Sequence, residues 1–298
     1  MSILISILLP VALITMMMSL GLGLAVSDFA RIARHPKSFA AGALTQLIIV
    51  PTLAFIFCRL FQLEPEIALG LMILSLCPGG PTSNIMSRAA HGDVALSITL
   101  NGTSSLLALV TLPLMTAWFA PHFLGADAPP IRMGTLGLSM FLMTTLPVVT
   151  GMLLRRHLPR VADALDKPFR KASSILLVVV VGGGLASNWR LFADVLPSLG
   201  PCILLLGICF LISSLTVCRL AGLDTPQTTA ITIDTGIQNA ALGITVGTLI
   251  AGSVDTVPPI SFPSGVYAVV MYGLVIPFMF WRRRVAENAY SAATAVRA

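Results

Sequence analysis

Charge is what this chain lacks. Asp, Glu, Lys and Arg make up 10% of its 298 residues, against roughly 25% in a soluble domain. A water-soluble fold of this size cannot cover its surface with so few charges. Aromatic residues are also scarce, at 7%. Neither an HExxH zinc motif nor a phosphate-binding loop with its lysine is present, which removes the commonest metalloprotease and nucleotide-hydrolysing signatures. The four histidines (His35, His91, His122, His157) all fall in or near polar connections, so none is placed for a buried catalytic triad. The five cysteines show no metal-ligand spacing and read as small apolar core residues. No enzymatic chemistry is expected.

What is present is apolar length. Hydrophobic residues reach 56% and mean hydropathy is +0.93. Uncharged runs lie between Lys37 and Arg59, Glu66 and Arg88, Arg132 and Arg155, Lys171 and Arg190, Asp194 and Arg219, and Asp255 and Arg282. Residues 1–27 carry no charged side chain, and further runs cover about 94–120 and 226–253. These lengths suit helices crossing a bilayer, which need about 20 apolar residues. Barrel strands would be about half as long and alternating. The reading is an all-α membrane protein of about nine transmembrane helices.

The net charge of +6 sits in the connections, with little aromatic interleaving. It reads as membrane topology rather than nucleic-acid binding. With the N-terminus outside, fifteen of the 18 Lys and Arg fall on the cytoplasmic side, and three (Arg59, Arg132, Arg190) fall outside. The expectation is therefore a multi-pass protein, N-terminus out and C-terminus in. The first run has no basic residue before it, so it reads as an uncleaved helix, not a signal peptide.

Two spans look broken. Span 3 contains Cys77-Pro78-Gly79-Gly80-Pro81-Thr82-Ser83-Asn84, which cannot continue a regular helix. Span 8 contains the polar run Asp234-Thr235-Gly236-Ile237-Gln238-Asn239. Irregular backbone at membrane depth survives only where it is buried in protein or lines a cavity. The two breaks lie five spans apart and so cross in opposite directions, as in an inverted repeat. Spans 5–9 would form one unit of five, about 131–281. Spans 1–4, residues 1–130, would form the other, lacking its first helix. On this division residues 1–154 hold spans 1–5, 155–171 form a cytoplasmic basic loop, and 172–298 hold spans 6–9 and the tail.

Of the 12 acidic residues, Asp234 alone lies well inside a span. A carboxylate there costs a few kcal/mol, on the order of 3, unless a partner, proton or cation meets it. No Lys or Arg lies in a span interior, which leaves a metal ion or a proton. Hard cations take oxygen ligands. Ser83 and Asn84 lie beside the first break. Ser97 and Asn101 are four apart, on one face of span 4. Gln238 follows Asp234, and Gln46 stands in an apolar run.

CPGGPTSN (77–84), HGDVALSITLN (91–101), IDTGIQNA (233–240) and the Gln46-containing TQLIIVP together resemble the bile acid:sodium symporter family, including its bacterial members. The resemblance runs through nearly the whole chain in span order. It implies a core of spans 2, 3, 4, 7, 8 and 9, with two crossed broken helices, beside a panel of spans 1, 5 and 6. It implies one sodium ion near Ser83, Asn84, Ser97, Asn101 and Asp234. A second would sit near Gln46, Asp234 and Gln238. The implied activity is sodium-coupled symport of an organic anion, such as a bile acid or small carboxylate, across a bacterial inner membrane. Thr82 and Asn239, at the starts of the half-helices, are the expected substrate contacts. There are departures: the family acid is usually Glu, Asn101 stands where Thr is common, and Pro81 replaces a Thr of some bacterial relatives. Two alternatives remain open, proton coupling through Asp234 on the same fold and a non-transporting membrane receptor.

Overall fold

Several helices in this chain begin where the sequence supplies a cap or a proline. The computed structural model describes residues 7–25, 35–80, 82–125, 133–187, 189–252 and 257–295. In chain order the helices are α1 Leu9–Gly23, α2 Pro36–Leu60, α3 Pro65–Leu76, α4 Thr82–Ala89, α5 Val94–Leu124 and α6 Gly134–His157. They continue with α7 Pro159–Ser187, α8 Trp189–Leu220, α9 Thr225–Gly236, α10 Ala240–Ala251 and α11 Phe262–Ala295. Asp93 caps α5 by accepting from Leu96 N at 3.0 Å, and Asp224 caps α9 by accepting from Gln227 N at 2.8 Å. The described residues form no strand.

Among the described residues five stretches are long and apolar enough to cross a bilayer: Pro36–Leu60, Val94–Leu124, Gly134–His157, Ala193–Leu220 and Pro259–Asn288. Leu9–Gly23, Pro65–Leu76 and Ala240–Ala251 are apolar but shorter. Val110, Trp118, Ile212 and Leu220 turn outward and are exposed, an arrangement that hydrocarbon accepts and water would not. The chain is an all-α membrane protein.

Both expected breaks are present. α3 stops at Leu76 and α4 starts at Thr82; α9 stops at Gly236 and α10 starts at Ala240. Pro81 lies outside the described residues, as do Arg132 and the repeat boundary at residues 128–130. Residues 159–171, expected as basic loop, are instead the first turns of α7, and Leu158 alone separates α6 from it. The reason is local: Pro159 starts the helix, and Arg170 pairs with Asp166 one turn away. Counting charges marks where a span ends but does not say whether the charged segment is coiled.

One turn occurs twice. Cys58-Arg59-Leu60-Phe61-Gln62-Leu63-Glu64-Pro65 leads into α3, and Cys218-Arg219-Leu220-Ala221-Gly222-Leu223-Asp224-Thr225-Pro226 leads into α9. Leu63 N donates to Cys58 O at 3.2 Å, and Leu223 N to Cys218 O at 3.0 Å. Gln62 and Gly222 hold the same left-handed position, at φ 48° and 65°. The helices that follow are both 12 residues long.

Two helices contain a π-turn just before a proline. Thr45–Ile49 precedes Pro51 in α2, and Phe141–Thr145 precedes Pro147 in α6. A proline cannot donate to the helix ladder, and the wider turn absorbs the misfit. In α2 this turn carries Gln46 and aims it at the first break. α1 packs tightly on α6 because Gly21 and Gly151 leave room: a Cβ on either would strike the facing backbone.

Candidate functional site

Breaking two helices inside a membrane frees backbone groups that water cannot reach, so each needs a partner. The breaks supply one another. Gly79 and Gln238 form an antiparallel bridge. Gly80 N donates to Ile237 O and Asn239 N to Pro78 O, each at 2.9 Å. Side chains take further carbonyls. Gln46 Nε2 donates to Cys77 O at 2.8 Å, Gln238 Nε2 to Thr235 O at 2.9 Å, and Tyr267 OH to Gly236 O at 2.9 Å.

Asp234 lies in the last turn of α9 and is buried. Its Oδ1 accepts from Ser83 Oγ at 2.5 Å, Asn101 Nδ2 at 2.6 Å and Ser97 Oγ at 3.3 Å. Asn84 joins from the side: its Oδ1 accepts from Ser97 Oγ at 2.8 Å and Asn101 Nδ2 at 3.3 Å. Three elements therefore meet at one point, α4 with Ser83 and Asn84, α5 with Ser97 and Asn101, and α9 with Asp234. Ser83, Ser97 and Asn101 are fully buried. Glycine makes the approach possible, because a Cβ on Gly79 would collide with the Asn101 side chain and lie 3.1 Å from Asp234 Oδ1.

One detail bears on what this cluster holds. Asn101 Oδ1 is buried without a hydrogen-bond partner, a state that normally costs about 1–3 kcal/mol. Half a turn of that amide exchanges its oxygen with its nitrogen. The cluster would then present oxygens from Asp234, Asn101, Asn84, Ser83 and Ser97 to one place, a donor set suited to a hard cation.

Gln46 and Gln238 form a second pair. Gln46 Nε2 donates to Gln238 Oε1 at 2.9 Å, and both are buried. Among the described residues no hydrogen bond links either glutamine to Asp234, so the structure joins the two glutamines to each other and to the break, not to the carboxylate. Thr82 and Asn239 start the two half-helices. Thr82 Oγ1 lies 3.0 Å from Tyr272 OH. Asn239 Oδ1 caps α10 by accepting from Leu242 N at 3.1 Å, while its buried Nδ2 has no partner.

Tyr267, Tyr272 and Ser214 escaped the sequence reading. Ser214, on α8, accepts from Thr235 Oγ1 at 3.3 Å. The signal for the tyrosines was available: the chain has three, and two of them stand inside one apolar run.

The sequence matches a known group. The family model of the sodium bile acid symporter family matches residues 10–194. The chain belongs to that family. YocS of Bacillus subtilis (strain 168), described as an uncharacterised sodium-dependent transporter, is 30% identical over 83% of this chain and 75% of its own length. The probable sodium/metabolite cotransporter BASS1 of Arabidopsis thaliana chloroplasts is 29% identical over 92% of this chain and 66% of its own. The human ileal sodium/bile acid cotransporter is 29% identical over 82% and 70%. The chain thus spans about two thirds of the length of the plant relatives it matches. These relatives are named as transporters or cotransporters, and the chain is a membrane protein of the same family.

Proposed function

We propose that the chain is a sodium-coupled symporter that moves an organic anion by alternating access. The observation that carries this is the convergence of Ser83, Asn84, Ser97 and Asn101 on Asp234. The cluster contains one carboxylate among neutral oxygens, and a single monovalent cation balances that charge. Sodium would be held by these five residues. A second ion near Gln46 and Gln238 would need the glutamine pair to part, since their side chains now satisfy each other.

Binding a cation at Asp234 ties α4, α5 and α9 together and so orders both breaks. The half-helices α4 and α10 then present their free N–H groups and positive dipole ends to an anion. Thr82 and the unpartnered Nδ2 of Asn239 are the proposed substrate donors. The anion is a bile acid, as in the name of the human relative, or a metabolite, as in the names of the plant relatives, here read as a small carboxylate.

The proposal includes nine passes through a bacterial inner membrane, N-terminus out and C-terminus in, with residues 1–130 and 131–281 as inverted units. The repeated turn before α3 and α9 supports the repeat. Contacts support the sidedness, because residues expected on the cytoplasmic face meet there. His91 Nε2 lies 3.7 Å from Glu287 Oε1, Arg282 Nε donates to Thr229 Oγ1 at 2.9 Å, and Arg155 Nε to Leu22 O at 2.8 Å. Phe55 packs near Phe119 and His122 on the opposite face. The core would move against a panel of α1, α6 and α7.

Purified protein in liposomes tests the reading. An inward sodium gradient should drive uptake of an organic anion, and replacing sodium by potassium should stop it. A second reading, proton coupling, is favoured by the burial of Asp234 with no cationic side chain paired to it among the described residues, and an imposed pH gradient in the same vesicles distinguishes it.

A further inference from the structure

A cavity of about 200 Å³ opens beside the Asp234 cluster. Six of its ten lining residues are polar or charged: Ser19, Asn84, Arg88, Arg155, Asp166 and Arg170. They come from α1, α4, α6 and α7. Three guanidiniums face one carboxylate, so the lining is net positive. Asp163, which pairs with Arg155, lowers that excess without removing it.

The arginines differ. Arg155 is anchored by Leu22 O and Asp163. Arg170 pairs with Asp166. Arg88 is exposed and forms no ion pair among the described residues. Asp166 is an imperfect partner: its Oδ2 meets Arg170, while its Oδ1 is buried with no hydrogen bond. A carboxylate with one orphaned oxygen is held less well than one satisfied at both.

We propose that this cavity binds a small carboxylate. Arg88 recognises its charge, and Asp166 is the internal counter-ion that the ligand replaces on Arg170. The inference rests on the organic-anion transporter reading above and adds to it a second anion site, at the opposite end of α4 from Thr82. Pockets for drug-sized ligands measure about 300–1,000 Å³ and are mainly apolar; this one is smaller and mainly polar, which disfavours a steroid. Its link to the cation cluster is one short helix. Asn84 and Arg88 lie four apart on α4 and so on one face. Asn84 Oδ1 is held by Ser97 and Asn101, so ordering the cluster also fixes the helix that carries Arg88.

Binding of lactate, malate and taurocholate to the purified full chain, by calorimetry with and without sodium, tests this. The parent should bind lactate or malate more tightly than taurocholate. Arg88→Gln should weaken that binding by at least about tenfold, the loss expected for one charge-assisted contact. Asp166→Asn should tighten it several-fold by releasing Arg170, a gain that misfolding cannot produce. Both variants should keep the parent's stabilisation by sodium. Binding of neither small acid, binding of taurocholate alone, or parental affinity in both variants overturns the cavity assignment. If sodium still stabilises the parent in those cases, the transporter reading stands. A parent that responds to neither sodium nor any of the anions overturns both.

Discussion

Asn101 carries two opposite demands. Its Nδ2 satisfies Asp234, Ser83 and Asn84, while its Oδ1 is buried and unpaired. Asn101→Ala should therefore weaken sodium-dependent stabilisation more than it lowers the unfolding temperature in sodium-free buffer, because it removes a ligand and an unpaired oxygen together. Asn101→Asp should act differently, placing a second negative charge beside Asp234 and destabilising the sodium-free protein. Thermal unfolding with and without sodium measures both. Gly79→Ala is predicted to abolish the sodium response, since its Cβ would enter the space between Asn101 and Asp234. At this scale the sequence was informative for a simple reason. Asp234 is an acid in an apolar run, and polar residues that must meet it are few. Two tyrosines in one apolar run were visible, but the partners of their hydroxyls were not, because a hydroxyl donated to a broken helix depends on where the break falls in space.

At the scale of elements, the repeated turn gives a direct comparison. Gln62 and Gly222 share one left-handed position, and a left-handed conformation costs a non-glycine residue about 1 kcal/mol. Gln62→Gly should raise the unfolding temperature modestly, and Gly222→Ala should lower it by the equivalent of about 1 kcal/mol. Equal and opposite shifts fit one turn used twice; a fall in both would deny the equivalence. The breaks were readable from Pro78, Gly79 and Gly80, and from the polar run after Ile233. The helical start of α7 was not readable, because basic residues are as compatible with a surface helix as with a loop.

For the whole molecule, the proposed nine passes put the arginine-rich connections on one face and the Phe55 and His122 aromatic group on the other. Single cysteines at Arg160 and Gln62, in a background whose own cysteines are replaced, should react with an impermeant reagent from opposite sides of sealed vesicles. Labelling of both from one side contradicts the nine-pass arrangement. Apolar runs were legible because hydrocarbon demands length, and five of them are helices long enough to cross a bilayer among the described residues. The way their ends meet, His91 with Glu287 and Arg282 with Thr229, depends on packing that no run of residues encodes by itself.

Sodium binding by Asp234 is decided by the sodium-dependent thermal stabilisation of the Asp234→Asn variant. Asn keeps the size and one oxygen but removes the charge. At a sodium concentration a hundred times its dissociation constant, the parent should gain about 2.7 kcal/mol. Lowering the pH should reduce that gain, because protons compete for the same carboxylate. Asp234→Asn should fold and show no sodium gain at any pH, while Asp234→Glu should retain part of it. An Asp234→Asn variant stabilised by sodium as strongly as the parent would contradict the account.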